Sequence, residues 1–130
     1  MGLDNGIMVR RETMIPALTK FDKDWQARNG YDIEIAYWRK CWNVRSVILY
    51  TLGINSNNDL EFDLSRNNIK DIITALKKMT NKEEYYNGYG GCIWDWRDFK
   101  RIQKRNIRAL RRLYRIMGKH DLSVYFYDSY

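Results

Sequence analysis

Asp95 to Lys119, DWRDFKRIQKRNIRALRRLYRIMGK, runs without a helix breaker as far as Gly118 and carries all of the chain's excess positive charge. Wound at about 100° per residue, Phe99, Ile102, Ile107, Ala109, Leu110, Leu113, Tyr114, Ile116 and Met117 fall on one half of the cylinder. Arg97, Lys100, Arg101, Lys104, Arg105, Arg108, Arg111, Arg112 and Arg115 fall on the other. Asp95 is placed to cap the amide end, Asp98 suits the positive end of the helix dipole, and Gly118 supplies a stop. From Arg97 to Lys119 there are ten Lys or Arg against Asp98 alone, a local charge of +9, and the rest of the chain sums to −2 of the total +7. The basic character belongs to one helix face, and the apolar half of that helix requires a core to cover it.

The 130 residues fit one domain, 1–130, and a hydrophobic share of 45% with abundant Trp, Tyr and Phe supplies that core and argues against disorder. Two cysteines, Cys41 and Cys92, are too few for a disulfide scaffold. With no apolar leader, the chain reads as cytoplasmic with reduced thiols. No apolar run reaches membrane-spanning length, so no membrane is expected as partner.

Ahead of the basic helix, Asp4-Asn5-Gly6 is a turn signal and Ile7 to Val9 a short strand. Glu12 to Asp32, interrupted by Pro16, is an excursion with a helical turn near Asp22 to Arg28. Ile33 and Ile35 alternate with Glu34 as a strand would, but from Tyr37 onward Tyr37, Cys41, Val44, Ile48 and Leu52 keep a helical period that Gly53 closes. Arg45 lies at the edge of this apolar face, where a charge requires a carboxylate or the solvent rim. Leu60, Phe62 and Leu64 alternate as a strand; Ser65 caps a helix over 66–79 with Ile69, Ile72, Ile73, Leu76 and Met79 inward. Asn81 to Gly91 is a loop, Cys92 to Trp94 a strand, and Leu122, Val124 and Phe126 alternate in a terminal strand. The fold class is α+β: three main helices packed on a small antiparallel or mixed sheet that includes the N- and C-terminal strands.

MGLD at the start, IEIAYWRKCWNVRSVI, LSRNNIKDIITALKKM, Gly90-Gly91 and the final FYDSY occur in that order. Together they resemble a group of small phage and prophage proteins that open with MGLD, carry a central YWRK helix and close on a strand ending in aromatic residues. The resemblance implies a phage or mobile-element origin and no particular reaction. The chain departs from that group in having Arg45 where its members carry His, and in its basic last helix, which in the group is far more acidic.

Catalytic candidates are few, and none is assigned. His120 follows a helix end, Cys41 reads as a small mid-helix core residue, and Cys92 has no adjoining base, leaving a small intracellular enzyme using Cys92 as the least supported alternative. Cys41, Cys92 and His120 lack the close ligand pair of a zinc site, so no metal is expected. Gly88-Tyr89-Gly90-Gly91 lacks the Gly-Lys-Ser/Thr ending of a phosphate loop, and no cofactor is implied. Glu83-Glu84 and Asp22/Asp24 read as solvated surface. Tyr37-Trp38-Arg39-Lys40 mixes stacking and basic side chains, making Arg39 and Lys40 secondary binding candidates. The basic face is the principal one. Like charges four apart, as at Lys104/Arg108 and Arg111/Arg115, repel on an isolated helix, and a polyanion would relieve that repulsion. The sequence therefore predicts a non-enzymatic phage accessory protein that binds a polyanion, either nucleic acid or the nucleic-acid-handling surface of a host defence complex, as anti-CRISPR inhibitors do. The alternative is a protein-interaction or structural module of the phage particle.

Overall fold

Both chain ends are strands, and each finds its neighbour in the other. In the computed structural model, which describes residues 4–10, 18, 32–54, 60–81, 83 and 92–129, β1 (Asp4–Val9) pairs antiparallel with β4 (Val124–Ser129), from Asp4 opposite Ser129 to Val9 opposite Val124. β2 (Ile33–Arg39) adds to the far side of β1 and β3 (Leu60–Leu64) to the far side of β4. The sheet order is β2-β1-β4-β3, antiparallel throughout. With α1 (Trp42–Leu52), α2 (Arg66–Asn81) and α3 (Trp96–Met117), the architecture is the expected α+β arrangement with both termini in the sheet.

Alternation sorts the sheet into two faces. Ile7, Val9, Trp38, Leu64, Val124 and Phe126 point inward and are buried with Val44 and Ile48 of α1, Ile69, Ile72, Leu76 and Met79 of α2, and Phe99, Leu110 and Leu113 of α3. Burying each such side chain contributes roughly 1.5–3 kcal/mol, so the three apolar helix stripes and one sheet face account for most of the driving force. Ser65 caps α2 reciprocally with Asn68: the Asn68 amide donates to Ser65 Oγ (3.1 Å) and the Ser65 amide to Asn68 Oδ1 (2.9 Å).

Two polar contacts seat α3. Gln103, fully buried, accepts from Trp38 Nε1 (2.7 Å) and turns its amide toward the Leu76 carbonyl of α2 (3.4 Å). One turn on, Asn106 Nδ2 donates to the Tyr37 carbonyl (2.9 Å) of edge strand β2. These amides interrupt the apolar half of the helix, and each is occupied by a partner that would otherwise be a buried orphan.

Several expectations are corrected. Tyr37 to Lys40 is not helical. Tyr37, Trp38 and Arg39 end β2, pairing with Gly6, Asn5 and Asp4, and Lys40 takes a left-handed φ of 53° that separates strand from helix. Cys41 is accordingly the buried N-cap of α1 rather than a mid-helix residue. The apparent period misleads because Ile35 lies at a bulge, opposite the Ile7/Met8 register shift, and breaks the alternation. Asp4-Asn5-Gly6 is strand, not turn: a Cβ on Gly6 would lie 2.6 Å from the Ala36 carbonyl oxygen and 2.8 Å from the Tyr127 ring, so glycine is there for close approach. Cys92 to Trp94 forms no strand; it is a bent lead-in to α3. Gly118 closes α3 in a right-handed conformation, φ −72°, and its missing side chain leaves room for the Arg66 guanidinium. Gly53, by contrast, is the expected left-handed cap of α1. The helical turn expected near Asp22 to Arg28, the Tyr85 to Tyr89 loop and Gly88 to Gly91 lie outside the described residues.

Candidate binding face on the last helix

Asp95 Oδ1 accepts from the Asp98 amide (2.8 Å), which fixes the start of α3 and hence the rotation of every side chain after it. The helix buries Phe99, Ile102, Ile107, Leu110 and Leu113. The cations are thereby turned outward: Arg97, Arg101, Lys104, Arg105, Arg108, Arg111, Arg112 and Arg115 are exposed. Lys100 is half-buried, its Nζ 5.0 Å from the Trp96 ring centroid. Because its apolar stripe is spent on the core, α3 is not a free amphipath for a membrane surface or a groove in another protein. Among the described residues, no helix is long and apolar enough to cross a membrane.

Among the described residues, several carboxylates are held elsewhere. Glu61 and Asp63 hold Arg10 at 2.7 Å each, Asp4 accepts from Tyr37 Oη (2.5 Å), and Asp32 accepts from Tyr125 Oη (2.5 Å). Arg45 Nε meets Asp128 Oδ2 at 2.6 Å beneath the sheet, with both side chains buried, as its position at the edge of an apolar face requires. On α3, among the described residues, Arg101 Nη2 lies 3.8 Å from Asp98 Oδ1, a loose and exposed contact. Among the described residues, Lys104, Arg105, Arg108, Arg111 and Arg115 make no ion pair.

Beside these groups, α2 and α3 leave an open cleft of about 280 Å³. Lys104, Ile107, Arg108 and Arg111 form one wall, and Lys77, Thr80 and Asn81 at the end of α2 form the other. The α2 wall was not legible in the sequence. Lys77 directly follows the core residue Leu76, so its placement depends on which side of α2 receives α3. Arg39 and Lys40 are exposed but stand apart from this cleft: Arg39 leaves β2 on the face that carries Tyr37, away from the helices.

Cys41 and Cys92 are joined as a disulfide, which corrects the expectation of two reduced thiols. Held in that bond, Cys92 is not a thiolate nucleophile. Their separation of 51 residues carries no pairing signal; packing of the α1 start against the lead-in to α3 brings them together. His120 is exposed beyond the end of α3. Among the described residues, no group of three His, Cys, Asp or Glu converges. Compared with models of known families, with curated proteins and with solved structures, the chain matches none.

Proposed function

We propose that this protein works by binding nucleic acid through the outer face of α3, extended onto α2 by Lys77, as a phage or prophage accessory protein rather than an enzyme. The observation that carries the reading is the exposed row Lys104, Arg105, Arg108, Arg111 and Arg115 without a carboxylate against it among the described residues. Arginine's planar fork suits phosphate oxygens, and phosphates neutralise the repulsion between successive turns. The resemblance to phage proteins supports action in a bacterial host's cytoplasm, on nucleic acid itself or on nucleic acid handled by a defence complex. The anti-CRISPR comparison is an analogy of size, charge and origin.

The test is binding of the parent and of a Lys104→Gln, Arg108→Gln, Arg111→Gln, Arg115→Gln variant to labelled DNA and RNA over a salt series. Each phosphate contact contributes about 0.9 to the log-log salt slope on duplex DNA and about 0.7 on single strands, so the variant's slope should flatten by about three. An acidic protein surface as the true partner would leave the parent without nucleic-acid affinity and concentrate any loss of partner binding in one or two arginines. Equal affinity and slope for parent and variant would remove the basic face from the function, leaving the particle-module alternative.

A further inference from the structure

The outer face of α3 is chemically uniform. Every exposed side chain from Arg101 to Arg115 is a Lys or an Arg, and the half-buried Ala109 and Tyr114 pack against the core. Amides are the side chains suited to reading adenine edges in a groove, and α3 has two. Both are withdrawn from the surface. Gln103 is buried between Trp38 Nε1 (2.7 Å) and the Leu76 carbonyl (3.4 Å), and Asn106 is buried and donates to the Tyr37 carbonyl (2.9 Å). On the α2 wall of the cleft the Thr80 hydroxyl is likewise buried and donates to the Leu76 carbonyl at 2.9 Å. That leaves Asn81 as the uncharged polar side chain exposed in the cleft lining.

We infer that the ligand is gripped by its phosphate backbone without regard to base sequence. This rests on the nucleic-acid reading above and adds its specificity. Sequence is read through contacts to base edges, whereas phosphate contacts hold and position a ligand and carry no sequence information directly. A face that offers cations alone supplies the second kind. Arginine can also fork onto guanine, but guanine is neutral. It would leave unrelieved the repulsion between Lys104 and Arg108, Arg108 and Arg111, and Arg111 and Arg115, none of which has an ion pair among the described residues. Phosphate oxygens accept the same fork and neutralise the row.

The experiment measures the full chain's affinity, over a salt series, for DNA duplexes of one length with alternating A·T, alternating G·C or mixed sequence, and for RNA duplexes of the same design. Uninterrupted A-tracts are left out because their narrow minor groove attracts arginine without any base contact. Within each set the affinities should agree to better than about fivefold, the least that one base-reading pair is worth. Lys104→Gln, Arg108→Gln, Arg111→Gln and Asn81→Ala should each act by the same factor on every sequence, and each lost cation should flatten the DNA salt slope by about 0.9. The parent comparison requires no substitution, so its outcome does not depend on the folding of any variant. A wider spread among sequences, or a variant whose loss is confined to one of them, overturns the sequence-independent inference and leaves the nucleic-acid reading intact. Absence of binding to DNA and RNA alike overturns both.

Discussion

Arg45 and Arg108 are the same side chain put to opposite uses. Arg45 is 8% exposed and locked to Asp128 at 2.6 Å, a contact that ties α1 to the central strand β4. Arg108 stands exposed on α3 with like charges one turn away on either side and no ion pair among the described residues. A charge that serves the fold is paired where water is scarce; a charge that the fold leaves unpaired in a row is available to something outside it. The contrast locates stability and function on different faces of the molecule, and mutations should separate them.

The largest effect is expected at the buried pair. Arg45→Ala leaves the Asp128 carboxylate charged under the sheet, at a cost of about 3–5 kcal/mol, enough to unfold a large fraction of a domain this size. Denaturant unfolding followed by circular dichroism measures it. Replacing both partners with apolar residues of similar volume should restore most of the loss, since the pair's net contribution is small compared with the cost of orphaning one member. If Arg45→Ala unfolds at the parent's midpoint, the pair is not holding α1 to β4.

Next comes the amide that seats the binding helix. Gln103→Leu strands Trp38 Nε1 without its acceptor, and a buried orphan donor costs about 1–3 kcal/mol. The same denaturant series reads this loss. Nucleic-acid affinity measured well below the unfolding transition should stay near the parent's, because Gln103 faces away from the cations. A large loss of affinity without a loss of stability would mean that the two faces are coupled more tightly than the contrast allows.

The sequence disclosed these two faces unequally. The strands at both ends, the apolar stripes of α2 and α3 and the need of Arg45 for a carboxylate were readable because hydrophobic period and burial cost act locally. The end of β2 was not. Tyr37 to Cys41 continues the helical period of α1 backward, and only the bulge at Ile35 and the pairing of Tyr37 with Gly6 decide for a strand there. Lys77, Thr80 and Asn81 were missed as cleft residues because they are supplied by packing between helices, which no window of one helix contains. The Cys41–Cys92 link was hidden for the same reason. The cation row itself was fully legible, since rotation about one helix axis is all it requires.

Alkaline pH probes the sheet face opposite the helices. Burial first, then the hydrogen bond donated to Asp4, pushes the Tyr37 hydroxyl up to about 12. Tyr125, buried and donating to Asp32, and Tyr127, half-buried near Glu34, are raised as well. An unfolded tyrosine titrates near about 10, so between there and the folded value the unfolded chain has released a proton that the native state keeps. The stabilisation is complete below about pH 10 and is lost as pH rises toward 12. Unfolding midpoints should fall from pH 9 to about pH 11, and Tyr37→Phe should reduce that fall. A midpoint flat over this range would deny the protonated Tyr37–Asp4 contact.

The smallest effect on stability is expected where the effect on function is largest. Lys104, Arg108, Arg111 and Arg115 are exposed, and gaps of four residues set Lys104 against Lys100 and Arg108, Arg108 against Arg112, and Arg111 against Arg115. Each such pair on a helix destabilises by about 0.2–0.5 kcal/mol at low salt, and glutamine is nearly as good a helix former as the residues it replaces. The quadruple glutamine variant should thus unfold at the parent's midpoint or slightly above it, by at most about 2 kcal/mol. Raising salt should close the gap, because screening removes the same repulsion from the parent. A variant clearly less stable than the parent would show that these side chains hold the fold through contacts of their own. Their exposure would then no longer mark them as groups kept for a partner. A more stable variant that has lost nucleic-acid binding would show the reverse: a helix face held at a cost to the fold and offset when phosphate arrives.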